Sequence, residues 1–285
     1  MKRAALFAHF DHQNEVKPYI LYFLKCLREL CGDIIFVSTS PLPPSEFDKL
    51  QHLVSRIELR ENSGFDFGMW HHALGLIDLS QYDEIVLTNS SIFGPVFPLS
   101  PIFERMQHDP CDFWGMTDSF EIRWHLQSYF LVLKSAVLRS TALTRFFDAV
   151  LPYRDKFQLI RSYEVGMALY LSENGLRPAA CVPTGSWCES NSQQKRIRKG
   201  RQNPTLLYPI QLLQSGMPFV KAQLLRDNPK RIALKPVWRA VEATGYDVSL
   251  IEFDRKPDVS HGFGNWLRGG RQVQQDEIDA EIPKL

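Results

Sequence analysis

Residues 58–68, E-L-R-E-N-S-G-F-D-F-G, gather a cation (Arg60), an amide (Asn62), a carboxylate (Asp66) and two glycines (Gly64 and Gly68) into one stretch. A guanidinium can pair with a diphosphate, a carboxylate can accept hydrogen bonds from sugar hydroxyls, and glycines let a backbone approach a ligand closely. The stretch lies where a short apolar run gives way to a helical pattern, the position at which α/β proteins present loops to nucleotides. The competing reading is a glycine turn in which Asp66 caps the following helix.

Further groups of the same kind follow other apolar runs. His9 and Asp11 close the run that starts at Ala4 and fit the base or ribose of a nucleotide, or simply a loop. Asn89, Ser90 and Ser91, followed by Gly94-Pro95, end the run E-I-V-L-T. They can hydrogen-bond a phosphate or a sugar, but without an acid they are poor ligands for a hard cation. The segments W-G-M-T-D-S (Trp114 to Ser119) and H-L-Q-S-Y-F (His125 to Phe130) set Asp118, His125, Gln127 and Ser128 beside the aromatic rings of Trp114, Trp124 and Tyr129. Sugars stack on such rings, although buried Trp and Tyr also serve as ordinary core. Glu164 sits in I-R-S-Y-E-V-G-M-A, where apolar neighbours can raise a carboxyl pKa and suit it to removing a proton from an attacking hydroxyl. The run Lys195, Arg196, Arg198, Lys199 and Arg201 can clamp phosphates, touch lipid headgroups or remain solvated.

The elements that must hold these groups alternate. Strands are expected at Ala4–Phe10, Ile34–Val37, Ser55–Leu59 and Glu84–Thr88, separated by helices near Val16–Leu30, Glu46–Leu53 and Phe67–Leu76. This alternation favours a mostly parallel sheet covered on both faces, and right-handed crossovers put the strand ends on one edge. A helix near Ile102–Gln107, a strand at Phe113–Met116, a long strand at His125–Leu133 and helices at Ala136–Val150 and Lys156–Glu173 come next. Residues 186–204 read as a mobile polar loop, and helices near Pro204–Gln214 and Lys235–Thr244 form a C-terminal part. Three regions are thus expected: an α/β domain over 1–185, a basic loop and helical annex over 186–250, and a poorly ordered tail over 251–285.

Composition narrows the partners. The chain has 285 residues, 44% of them hydrophobic, and a net charge of +1, so it can bury a sizeable core and carries no global field for nucleic acid. Five cysteines without a C-x-x-C pair argue against a disulfide framework and for a reducing cytoplasm. The N-terminal apolar run is broken by His9 and Asp11 and reads as a core strand rather than a signal peptide. With no long uncharged apolar stretch, membrane contact is expected to be peripheral only, at the inner face of the cytoplasmic membrane.

Taken in order, R-E-N-S-G-F-D-F-G, Y-D-E-I-V-L-T-N-S-S-I-F-G-P, W-G-M-T-D-S, H-L-Q-S-Y-F-L, Y-E-V-G-M and N-P-T-L-L-Y-P-I-Q-L-L-Q-S-G-M-P-F-V-K-A-Q-L-L-R-D-N-P resemble the rhamnan-synthesis protein F family from about Ala4 to Asn228. The resemblance implies a glycosyltransferase-A-like fold, with a Rossmann-like mostly parallel central sheet, and a bacterial glycosyltransferase of cell-surface polysaccharide assembly. It also implies a nucleotide-sugar donor, often dTDP-rhamnose, and a glycan or lipid-linked oligosaccharide acceptor. By that likeness Arg60, Asn62, Gly64 and Asp66 fall on the donor loop, Asn89 and Ser91 face the diphosphate, and Glu164 is the acid before a helix. His9, Asp11 and Ser90 complete the expected donor side; Trp114, His125, Gln127, Ser128 and Tyr129 are the expected acceptor side. Glu164 and Asp118 are the candidate catalytic carboxylates. The family pattern commonly reads N-D-S, and Ser90 stands here in place of that acid, which leaves dependence on Mg²⁺ or Mn²⁺ open. Two other readings compete: a non-catalytic scaffold that binds glycan or nucleotide sugar, and a methyltransferase, which the lack of a G-x-G-x-x-G loop after the first strand disfavours.

Overall fold

The computed structural model describes residues 1–150 and 160–251. Its centre is a twisted sheet in the order β3 (Arg56–Leu59), β2 (Asp33–Ser38), β1 (Arg3–His9), β4 (Glu84–Asn89), β8 (Phe130–Lys134), β6 (Phe113–Ser119) and β7 (His125–Leu126), with β9 (Pro178–Val182) pairing β6. The pairs β1–β2, β1–β4, β2–β3 and β6–β9 are parallel, while β8 runs antiparallel between β4 and β6. Inserting one reversed strand leaves β6 and β9 pointing the same way as β1 to β4. The carboxyl ends of all these strands therefore share one edge, and the start of β8 joins them there. This is the glycosyltransferase-A-like architecture that the resemblance implies.

The central strands β1, β2, β4, β6 and β8 are buried on both faces, as covered sheets require, while the edge strand β3 is half-buried to exposed. Along β1, Ala5 and Phe7 point into one apolar cluster while Ala4, Leu6 and Ala8 point into the other. The first cluster takes Phe23, Leu24 and Leu27 of α1 (Pro18–Arg28), and the second takes Phe67, Met69 and Trp70 of α3 (Phe65–Leu74) and Phe146 of α6 (Thr141–Asp148). Pro18 opens α1 at a position where its missing N–H has no intrahelical acceptor to lose. Helix α3 starts differently: Gly64 adopts φ 76°, a left-handed turn that swings the 60–64 loop back over the sheet edge.

Several expectations need correction. The long strand expected over His125–Leu133 is two strands, β7 and β8: Gln127 N–H still donates to the Thr117 carbonyl of β6, and the ladder then breaks at Ser128, whose N–H donates to the Glu164 carboxylate. The helix expected over Ala136–Val150 is split at Ser140, whose hydroxyl accepts from Ala142 N–H and caps α6. Residues 186–204 are not one loop. Ser190 caps a helix at Asn191–Lys199, and buried Ile197 anchors it while its basic side chains stay exposed. Pro209 divides the helix expected at Pro204–Gln214 into Pro204–Leu207 and Pro209–Gln214. Val237 and Val241 of the helix Leu234–Glu242 and Leu212 of the preceding one belong to the same apolar cluster as α1, so the C-terminal part shares the core of the main sheet. Residues 151–159, with the start of the helix expected from Lys156, and the tail 252–285 lie outside the described residues.

One small structure was not expected. Strand β10 (Val220–Lys221) pairs antiparallel with β5 (Ile92–Phe93), and flanking bonds run from Val96 N–H to the Pro218 carbonyl and from Ala222 N–H to the Ser91 carbonyl. The clasp depends on Gly94, at φ 124°, where an added Cβ would lie 2.4 Å from the Pro218 oxygen. Gly94→Ala is expected to lower the unfolding free energy by about 2 kcal/mol or more in a urea titration. A loss below about 0.5 kcal/mol would mean that the 218–222 segment simply moves aside.

Candidate functional site

The edge formed by the strand ends carries nearly all the polar residues singled out above. At its centre Asn89, only 4% exposed, uses both ends of its amide: Nδ2 donates to Asp66 Oδ2 at 2.8 Å, and Oδ1 accepts from Ser91 N–H at 3.0 Å and from Ser91 Oγ–H at 2.6 Å. The carboxylate on the first turn of α3 and the hydroxyl after β4 are thereby fixed relative to each other. Trp70 Nε1–H donates to the Thr88 carbonyl and Thr88 Oγ1–H to the Tyr129 carbonyl, which pins the 127–129 turn to the same strand end.

Arg60 leaves β3 and lies against α3, with Nη1 only 3.1 Å from where a Cβ on Gly68 would stand. That same Cβ would be 2.1 Å from the Ser63 carbonyl oxygen, so the loop closes on α3 only with glycine there. Nη1 is buried and has no hydrogen-bond partner, and burial lowers the guanidinium's pKa from its ordinary value. A cation that has been partly desolvated with an unused donor is suited to an anion. Asn62 is exposed on the same loop.

Lys221 reaches this place from the C-terminal clasp. Its ammonium donates to Ser91 Oγ at 3.2 Å and lies 4.8 Å from the centre of the Tyr129 ring. Sequence reasoning missed it: a single lysine in F-V-K-A-Q carries no pattern, and only the β5–β10 pairing shows where it goes.

The two candidate carboxylates differ in availability. Glu164, half-buried at the end of the π-helical turn Ile160–Glu164 that precedes α7 (Val165–Glu173), accepts from Ser128 N–H at 3.2 Å. Asp118 is committed on both oxygens: Oδ1 accepts from Thr184 N–H at 2.7 Å and Thr184 Oγ1–H at 2.6 Å, and Oδ2 accepts from Trp124 Nε1–H at 3.1 Å. It braces the ends of β6 and β9 together.

The expected acceptor side is largely internal. Trp114 is fully buried against Phe103 and Phe130 and offers no ring face to a sugar, because the pleat turns position 114 into the core. Gln127 bridges Thr117 and Asn203, and the Tyr129 hydroxyl lies 2.6 Å from Thr117 Oγ1. Burial pushes the Tyr129 phenol far above its usual pKa. His125 is buried, its Nδ1 2.8 Å from the Arg123 carbonyl, and Ser128 contributes its backbone N–H. The aromatic left at the surface is Trp124, 37% exposed.

On the donor side, Asp11 shapes its own loop by accepting from Gln13 N–H and Glu15 N–H, and the Ser90 carbonyl accepts from the Tyr19 hydroxyl. His9 is fully buried, with Nδ1 2.8 Å from Ser38 Oγ, and burial pulls its pKa down to about 4, partly offset by the Glu15 backbone and the Glu46 carboxylate. Arg60, Asp66, Ser90, Ser91, Glu164 and Lys221 are half-buried along the same edge.

These residues do not make a cation cage. Ser90 brings a hydroxyl where an acid was expected, Asp66 has one oxygen engaged by Asn89, and both Asp118 oxygens are engaged elsewhere. Among the described residues no group of three His, Cys, Asp or Glu side chains could hold a metal ion.

Fold and edge together define a glycosyltransferase-A-like α/β protein with a polar site where its parallel strands end. The chain belongs to the rhamnan synthesis protein F family, whose model matches residues 34–260. It is 28% identical over 193 residues to the virulence protein VirA of Vibrio anguillarum, a match covering 60% of this chain and 62% of that relative. Among solved structures, it is similar to a protein described as a nucleotide-diphospho-sugar transferase from Desulfovibrio desulfuricans G20, with 16% identity and a TM-score of 0.39 over 64% of this chain and 79% of that one. It is also similar to a 4-diphosphocytidyl-2C-methyl-D-erythritol synthase from Anaerococcus prevotii, with 10% identity and a TM-score of 0.40 over 70% of this chain and 98% of that one.

Two outcomes follow from the geometry. Because the native His9 ring resists protonation until about pH 4 while the unfolded ring takes a proton near 6.5, the unfolded state binds more protons between those values, and stability falls as pH falls through them. The loss is about 3 kcal/mol at most, read as the shift of the urea midpoint with pH, and His9→Gln should flatten that slope. Asp118→Ala, which strands two buried donors on Thr184 and a part-buried one on Trp124, is expected to cost about 2–4 kcal/mol in the same titration; a neutral result would release Asp118 from its bracing role.

Proposed function

We propose that this protein is a glycosyltransferase that moves a deoxyhexose, rhamnose in particular, from a nucleoside diphosphate to a growing lipid-linked or cell-surface glycan. The observation that carries the reading is the unpartnered Nη1 of Arg60, packed on α3 at the same sheet edge as the Asp66–Asn89–Ser91 chain, where nucleotides bind in α/β sheets. Membership of the rhamnan synthesis protein F family supports the sugar class.

In this scheme Arg60 and loop amides offset the charge of the leaving diphosphate, and Asp66, held in place by Asn89, accepts from sugar hydroxyls. Glu164 takes the proton from the acceptor hydroxyl as its oxygen bonds to the anomeric carbon and the bond to the diphosphate oxygen breaks. Glu164 is preferred to Asp118, whose two oxygens are already bound. No helix among the described residues is long and apolar enough to cross a membrane. The exposed basic residues of the helix Asn191–Lys199, with exposed Trp124 nearby in the chain's polar edge region, suit peripheral contact with the anionic cytoplasmic face, where a lipid-linked acceptor would be met.

A thermal-shift series with dTDP-, UDP- and GDP-sugars identifies the donor, and release of nucleoside diphosphate then measures transfer. Glu164→Gln should keep the donor-induced shift and lose about 10²–10⁴ in kcat. Undiminished turnover in that variant removes Glu164 from the chemistry; donor binding without diphosphate release by the wild type assigns the protein to the non-catalytic scaffold class.

A further inference from the structure

We propose that Lys221, together with Arg60, supplies the positive charge that opposes the donor diphosphate, without a divalent cation. This rests on the reading of the edge as a donor site and deepens it. The starting point is a mismatch: the edge has oxygen donors of the wrong kind for a hard cation, with a hydroxyl at Ser90 and carboxylates at Asp66 and Asp118 already engaged by Asn89, Thr184 and Trp124. Two monovalent side chains carry the same formal charge as one divalent ion and need no carboxylate cage.

The placement of Lys221 is set on three sides. Its backbone is paired opposite Ile92, and the next residue donates from N–H to the Ser91 carbonyl, so the side chain leaves from a fixed point. The Tyr129 ring lies 4.8 Å from the ammonium, and that ring is itself held through Thr117. An aromatic face steadies a cation without neutralising it. At the far end, Ser91 Oγ donates to Asn89 and accepts from Lys221, which brings the ammonium to the residue that the family likeness sets against the diphosphate. Arg60, with its unpartnered Nη1, lies against Gly68 on α3, the helix whose first turn carries Asp66.

The test is calorimetric titration of dTDP, UDP and GDP, and of the matching nucleosides, into the full chain with EDTA or with Mg²⁺ or Mn²⁺. The wild type should bind one diphosphate with affinities that agree within about twofold across the three conditions. Lys221→Met should weaken diphosphate binding about tenfold or more while leaving nucleoside binding in place, and Lys221→Arg should restore most of the loss. A wild-type affinity that collapses in EDTA and returns with metal overturns the proposal without any variant, as does unchanged binding by Lys221→Met. Should Lys221→Met fail to fold, Lys221→Gln takes its place and the metal comparison stands. If the wild type binds none of the three diphosphates in any condition, the donor-site reading itself falls, and this proposal with it.

Discussion

One buried side-chain amide organises the edge of this molecule. Asn89 has no room to turn and spends both its donor and its acceptor, so the loop after β3, the start of α3 and the end of β4 cannot move independently. Asp66, Ser91 and, through Ser91, Lys221 are placed relative to that link. An aspartate at position 89 would have no proton for Asp66, and an alanine would leave both Asp66 and Ser91 searching for partners in a confined space. The geometry is therefore an all-or-none arrangement rather than a sum of separate contacts.

The division of labour among the acids and bases follows from how each is solvated. Asp118 and His9 are chemically capable residues that the fold has consumed: one has its lone pairs filled by three donors, and the other sits where protonation is costly. Glu164 and Arg60 retain unspent capacity, one beside the 127–129 turn and the other against α3. A glycosyl transfer needs both kinds of group, a place for a proton to go and a place for negative charge to collect, separated enough that they do not neutralise each other.

What could be read from the residues divides along physical lines. The alternation of apolar runs and helical patterns gave β1 to β4 and their helices because burial on both faces of a parallel sheet makes strands nearly continuous in hydrophobicity. Arg60, Asp66 and Asn89 were legible because strand ends in such a sheet share an edge. The turn at 127–129 was not, since apolar alternation looks the same whether a strand continues or pauses to satisfy a glutamine. Trp114 and Tyr129 were misjudged for a related reason: an aromatic ring beside polar residues in sequence can face the core in space. The helix Asn191–Lys199 hides because one buried isoleucine among basic residues gives almost no periodic signal. Strand β9 is short and alanine-rich, P-A-A-C-V, and its membership in the sheet comes from pairing with β6 alone.

The clasp between β5 and β10 has a consequence for how the molecule comes into being. Ser91 and Lys221 are 130 positions apart, so the hydrogen bond between them closes a very long loop. During synthesis the first four strands can emerge and pair well before residue 218 leaves the ribosome, yet β5 has no strand to pair with until then. A chain cut short between β9 and the clasp would keep every strand of its main sheet and lack the piece that fastens the mouth of that sheet, leaving a frame with no finished edge.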